Sequence, residues 1–314
     1  MNFEVMDVTL RESNYVKGNC LSSDMQRKIV QKLYKANIDL IEIGYLGTDS
    51  EYGPANVNSN YIDFLTEGGS GNWDNKFVVM INPENFKTEY IDTLKDSRVR
   101  MIRFTIAPEK ISIAKKIFTF LKDTNIEISA NITRVSNLSI DRIQSMSNEL
   151  VAAGADYIYL ADSNGALMPE KVGELISSLG ASLPLDTNIG FHAHNHLDMA
   201  MMNTISSIKN GCRIVDASIQ GYGKSTGNLS LESFIASEHN MHLGDDKFDL
   251  KLLVQLSADC VSSFLNSDFY SKKAEGVLIG SENINLDELK TLEKDADSAK
   301  RDFVNYYYDR SDYD

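Results

Sequence analysis

"DYIYLADSNGALMPEKVGELI", residues 156–176, contains one complete folding unit. DYIYLAD is a short apolar and aromatic run of strand length that ends on the polar pair Asp162 and Ser163. MPEKVGELI then sets Pro169 and Glu170 in the first turn of a helix over 169–180, where a missing N–H and a negative charge are both tolerated.

Read outward from there, the same order recurs along the chain. Strands are expected at 3–10, 38–45, 76–81, 99–106, 126–133, 156–162, 188–195 and 212–219, and helices at 23–36, 109–122, 139–152, 169–180 and 198–210. Ser22 or Ser23 is placed to cap the first of these helices, and Gly211 to stop the last. Eight strands alternating with helices over ~250 residues fit a (β/α)₈ TIM barrel, with a doubly wound open sheet as the competing architecture. Polar groups at the strand ends favour the barrel: Arg11 with Glu12, Glu42, Asn131, Asp162 with Ser163, His192 with His194, and Gln220. In a barrel these ends share one mouth, and the chemistry happens there.

Residues 1–235 are accordingly expected to form the catalytic barrel. Residues 236–314 form an α-helical C-terminal extension suited to packing or to a homo-oligomer interface. Within it, 249–265 is amphipathic and should bury Leu252, Leu253, Leu256, Val261 and Leu265.

The composition is that of a globular protein: 314 residues, 42% hydrophobic and 24% charged. No run approaches the ~18 apolar residues of a membrane span, and MNFEVMDVTLRES lacks the zones of a signal peptide, so a cytoplasmic protein is expected. Cys20, Cys212 and Cys260 are odd in number and far apart, which argues for reduced thiols. A formal charge of −14 disfavours nucleic acid and anionic membranes as partners. It leaves room for a small anionic substrate at a local cation.

The stretch NIGFHAHNHLDMAMMN, 188–203, spends three of the chain's five histidines within five positions. On a strand His192, His194 and His196 share one face, opposite Phe191 and Ala193. Same-face neighbours lie roughly 6.5–7 Å apart, a gap that two imidazoles can close around a metal ion. A hydrogen-bonded histidine pair in a polar pocket is the alternative.

DVTLRESNYV, 7–16, puts Arg11 and Glu12 at the end of the first strand. Glu12 could complete a site with His192 and His194, because two imidazoles and one carboxylate leave open positions for substrate or water. Mn²⁺ or Mg²⁺ suits the oxygen-rich surroundings, and Co²⁺ or Zn²⁺ the two nitrogens. After the eighth strand, GYGKSTGNLSLE allows a tight loop that brings Asn228, at a helix start, over the metal. It matches neither GxGxxG nor a Walker loop.

Taken together, DVTLRES, GFHAHNHLDMAMMN and GYGKSTGNLSLE resemble the first-, seventh- and eighth-strand motifs of the metal-dependent HMG-CoA-lyase-like (DRE-TIM) barrels. That family includes 4-hydroxy-2-oxovalerate aldolases, isopropylmalate and homocitrate synthases, and HMG-CoA lyases. The resemblance covers roughly residues 3–235. It implies that Glu12, His192 and His194 bind the metal, with Asn228 as an additional ligand, and that Arg11 stabilises an enolate. Glu42 and Asp162 fall on further family positions at the mouth.

The chain departs from the family pattern in three places. Most members carry Arg-Asp where this chain has Arg11-Glu12, and the homocitrate synthase branch uses Glu. The aldolases carry a histidine where this chain has Tyr15. The loop after the eighth strand lacks the cysteine of the lyase branch. The resemblance therefore implies a metal-dependent aldolase joining or splitting a 2-oxo acid and an aldehyde. Tyr15, His196 or a metal-bound hydroxide would serve as base. An acyl-CoA-dependent Claisen synthase and a non-catalytic metal- or partner-binding barrel are the alternatives.

Overall fold

The structure is a computed structural model that describes residues 2–18, 21–47, 53–69, 71–241, 247–265, 278–279, 282–299 and 306–307. Eight parallel strands close into one barrel in the order β1 to β8: β1 (Glu4–Asp7), β2 (Leu40–Tyr45), β3 (Phe77–Ile81), β4 (Val99–Ile106), β5 (Glu127–Thr133), β6 (Tyr157–Asp162), β7 (Asn188–Ala193) and β8 (Ile214–Ala217). Closure is made by β1 on β8, with Glu4 opposite Ile214 and Asp7 opposite Ala217. The sequence expectation of a barrel, rather than an open sheet, is met.

Alternation along each strand sorts the side chains. Ile158 and Leu160 of β6 join the large outer core under the helices, whereas Tyr157 and Tyr159 join Met6, Leu40, Val78, Met101 and Ile214 inside the barrel. The inward apolar layer sits low. Above it the inward positions turn polar: Glu42, Arg103, Ser129, Asn131, His192 and Asp216 are all buried. Gly190 makes room for this arrangement, because a Cβ there would sit 2.3 Å from the Tyr159 ring.

The helical layer contains α1 (Thr9–Glu12), α2 (Ser23–Lys35), α3 (Ser59–Thr66), α4 (Ile91–Leu94), α5 (Ile111–Leu121), α6 (Ile140–Ala152), α7 (Pro169–Ser182), α8 (Ala200–Lys209), α9 (Leu231–Met241), α10 (Leu250–Leu265) and α11 (Leu286–Ser298). Ser22 is the cap of α2, its side chain accepting from Met25 N at 3.2 Å. Gly211 ends α8 with a φ of +107°.

Two of the differences from the expected limits bear on the mouth and on the extension. Strand β1 stops at Asp7 rather than residue 10, because the Asp7 carboxylate accepts from Thr9 N (3.0 Å) and Thr9 Oγ1 (2.9 Å) and turns the chain into α1. Helix α9 begins at Leu231 and crosses residue 235, so the eighth helix of the barrel repeat straddles the expected domain limit.

Helix α10 buries Leu253, Leu256, Cys260 and Phe264 on one face, and Leu252 packs beside them. Phe264 stacks on Tyr222, ring centroids 3.9 Å apart, which ties the extension to the loop after β8. The side chains of Val261 and Leu265, expected on this face, lie outside the described residues. Cys212 and Cys260 are buried free thiols, and Cys20 lies outside the described residues. Among the described residues, no helix is long and apolar enough to cross a membrane.

Candidate active site at the barrel mouth

A cavity of about 380 Å³ opens at the C-terminal ends of the strands, with Arg11, Glu12, Asn131, His192, His194 and Lys224 in its wall. Short helix α1 positions the first two. Arg11 donates through Nε to Glu42 Oε2 at 2.6 Å and through Nη1 to Glu12 Oε1. Its Nη2 has no partner among the described residues.

From Arg11 a buried chain of charges runs across the barrel. Glu42 Oε1 accepts from Arg103 Nη1 at 3.1 Å, and Arg103 Nη2 donates to Asp216 Oδ2 at 2.7 Å. The Arg103 guanidinium lies 4.1 Å over the Tyr159 ring. Asn131, with its amide oxygen toward the guanidinium, accepts from Arg103 Nη2 (2.7 Å) and Nε (3.0 Å). Asp216 in turn contacts His192 Nδ1 at 2.9 Å. Burial works to raise the Asp216 carboxyl, but Arg103 and His192 outweigh it and hold it at about 2.

With Nδ1 against Asp216, His192 turns Nε2 toward Glu12 Oε1, 3.8 Å away. Glu12 is itself buried, and Arg11 and His192 hold its carboxyl below the ordinary range against the effect of burial. His194 is pushed well below the usual histidine value, first by burial and then by the charges of His192, His196, Lys224 and Arg11. Its Nδ1 has no hydrogen-bond partner.

Ligand atoms of Glu12, His192 and His194 lie within 4.8 Å of one another. Asn228 is bridged to His194 by backbone pairing, and its buried Oδ1 is also without a partner. The donors fit a divalent cation on two grounds. Unpaired buried nitrogen and oxygen atoms converge, and the chain of three carboxylates, Glu12, Glu42 and Asp216, carries one negative charge more than Arg11 and Arg103 supply.

The glycine loop after β8 makes this packing possible. A Cβ on Gly223 would lie 2.3 Å from Asn228 Nδ2 and 2.7 Å from Glu12 Oε2, and Lys224 N donates to the same Oε2 at 3.1 Å. Asn228 itself stands ahead of α9 rather than at its start, because its backbone is used in the bridge to His194.

The remaining expected residues are placed unequally. Tyr15 lines the cavity, the residue 45% exposed, and its hydroxyl is hydrogen-bonded to that of Tyr45, which lines it too. Desolvation at that end raises the Tyr15 phenol above its ordinary value. Glu42 faces inward but spends both oxygens on Arg11 and Arg103, beneath the cavity wall.

Asp162 has the outward parity of Ile158 and Leu160, and its carboxylate accepts from Ala166 N (3.2 Å) and Leu167 N (3.0 Å), holding the loop before α7. Burial raises it to about 6. Neither Glu42 nor Asp162 lines the cavity. His196 follows the end of β7, donates Nδ1 to Asn164 O at 2.5 Å and does not reach the cavity wall. Gln220 turns away and donates to Ser257 O at 2.8 Å.

Sequence reasoning missed Arg103, Asp216 and Tyr45. The signal for Arg103 was available: VRMIRFTI is an apolar strand with a charge at an inward position, and such a charge needs buried partners.

Residues 91–260 match the HMGL-like family model. A 4-hydroxy-2-oxovalerate aldolase from Geobacillus genomosp. 3 is 26% identical over 252 residues, 78% of this chain and 74% of that protein. The protein of the same name from Marinomonas sp. (strain MWYL1) is 25% identical over 268 residues, 83% of this chain and 78% of the relative. In fold, the N-terminal domain of a protein from Bacteroides vulgatus superposes with a TM-score of 0.77 at 21% identity, covering 94% of this chain and 97% of that one. A hydroxymethylglutaryl-CoA lyase from Pseudomonas aeruginosa gives 0.68 at 15% identity, over 83% and 93% of the two chains. The chain belongs to the HMGL-like family of enzymes.

Proposed function

We propose that the protein is a divalent-metal-dependent aldolase that joins or splits a 2-oxo acid and an aldehyde. The observation that carries the reading is the convergence of Glu12, His192 and His194 beside Arg11 at the mouth of the barrel. The aldolase names of the relatives agree with it.

Mn²⁺ or Mg²⁺ held by Glu12, His192 and His194, with Asn228 Oδ1 beside them, would supply Lewis-acid polarisation of a 2-oxo acid's keto oxygen. This chain's own groups do the rest. Arg11, fixed by Glu42 and Glu12, offers its unpaired Nη2 to the keto oxygen as negative charge develops there. Being held before the reaction, it needs no reorganisation.

In the cleavage direction the C4 hydroxyl gives up its proton to water in the open cavity, the C3–C4 bond breaks to release the aldehyde, C3 takes up the proton of Tyr15, and the Tyr15 phenolate regains one from water. Tyr15, protonated at neutral pH, is the group on the cavity wall that delivers this proton, and Tyr45 shares the resulting charge through their hydrogen bond. Condensation runs the same transfers backwards.

The test is cleavage of 4-hydroxy-2-oxo acids in the presence of Mn²⁺, read as pyruvate release by coupled reduction. The expected result is metal-dependent release. Thiol release from acetyl-CoA with 2-oxo acids, and no aldol cleavage, would assign the site to a Claisen synthase instead.

A further inference from the structure

The cavity wall carries charge that metal binding and enolate stabilisation do not use. Arg134 follows β5, Lys224 sits in the glycine loop after β8, and Lys290 comes from helix α11 of the C-terminal extension; all three line the same cavity. Arg134 holds a left-handed backbone, φ +59°, and its N donates to Ser163 Oγ at 3.1 Å. A non-glycine residue in that region stores strain, which tends to be kept where function needs it.

Elsewhere in the same lining Lys110 is paired with Glu84 at 2.8 Å, and Glu109 precedes it in the chain. By contrast the ammonium groups of Lys224 and Lys290 have no ion pair or hydrogen bond among the described residues. The nearest aromatic face to Lys224 Nζ is Tyr15, 6.0 Å away.

In a protein of net charge −14, two ammonium groups, those of Lys224 and Lys290, left without an ion pair among the described residues in the lining of one cavity are unfavourable unless an anion joins them.

We propose that the aldehyde partner carries an acidic group, carboxylate or phosphate, at the end remote from its carbonyl, and that Arg134, Lys224 and Lys290 hold that group. The inference rests on the aldolase reading of the same cavity and names its substrate class. The 2-oxo acid end of the ligand lies at Arg11, Glu12, His192 and His194, and the acidic end lies under α11. The C-terminal extension thereby contributes directly to specificity.

The test is calorimetric titration of the full chain, loaded with Mn²⁺, against two pairs of ligands that differ at the far end. The first pair is 2-oxohexanoate and 2-oxoadipate, and the second is 2-keto-3-deoxygluconate and its 6-phosphate. Tighter binding of the acidic member, by about tenfold at low salt, is expected in at least one pair, and the pair identifies carboxylate or phosphate. The ratio should shrink with ionic strength and fall to about twofold or less in the K224Q/K290Q double variant.

Equal affinity within both pairs would overturn the proposal, and so would a preference that survives the double variant. Pyruvate, titrated alongside, reads only the metal end. Its failure to bind would remove the aldolase reading itself, whereas pyruvate binding with no preference in either pair would remove the acidic acceptor alone.

Discussion

His192 and Asp216 meet at 2.9 Å between Nδ1 and Oδ2, and this contact decides which ring nitrogen faces Glu12. The carboxylate is anchored from behind by Arg103, so the ring is oriented by a group that never touches the cavity. Asp216→Asn preserves volume but weakens the acceptor. It should lower Mn²⁺ affinity by about 10–100-fold, measured by titration with elemental analysis after dialysis. Unchanged affinity would mean that the orientation is supplied elsewhere.

Arg11 is a two-sided clamp, and its planar fork is what lysine cannot reproduce. Both Arg11→Lys and Arg11→Ala should lower turnover by about 10²–10³-fold while bound metal persists. Metal content is read beside the rate. Full activity in Arg11→Lys would show that a point charge suffices, and full activity in Arg11→Ala would remove Arg11 from the mechanism.

Asp7 couples stability to pH. Burial raises its carboxyl to about 7, against hydrogen bonds from Thr9, so the folded state binds its proton more tightly than the unfolded chain does. The contribution is fully present below the unfolded value of 3.8 and is lost as pH rises through about 7. Urea unfolding of Asp7→Asn should therefore show the variant gaining stability relative to the parent between pH 5 and 8. A difference that stays flat across that range would contradict the assignment.

The extension should be part of the folded unit. Phe264 is fully buried against Tyr222, and Phe264→Ala should cost about 3–5 kcal/mol in urea unfolding. Truncation after residue 245 exposes the same core and should lower the unfolding temperature. A cost below about 1 kcal/mol would mean that the surrounding core closes over the gap.

What the sequence disclosed follows from what is periodic or local. All eight strands were legible because each is a short apolar run ending in polar residues, and the helix limits at 23 and 169 followed from the serine cap and from Pro169. The convergence of Glu12 with His192 and His194 was also foreseen, because strand ends in a barrel share one mouth.

Strand parity was the information left unused. Asp162 sits one position out of step with Tyr159 and Ala161, and that single step turns it from the cavity to the helix layer. Arg103 and Asp216 escaped notice because their importance lies in partners from other strands, which a linear reading does not pair. Tyr45 became visible only when β2 brought it to Tyr15.

If Glu12, His192 and His194 hold a metal beside Arg11, a 2-oxo acid bound there should lose a proton at C3. The most direct measurement is exchange of the pyruvate methyl protons in D₂O, followed by NMR, which needs no acceptor aldehyde. Protein with Mn²⁺ should exchange them faster than Mn²⁺ alone. EDTA should stop the reaction, and His194→Ala should lose both bound metal and exchange while remaining folded. A metal-loaded protein that exchanges neither pyruvate nor any other 2-oxo acid would contradict the account.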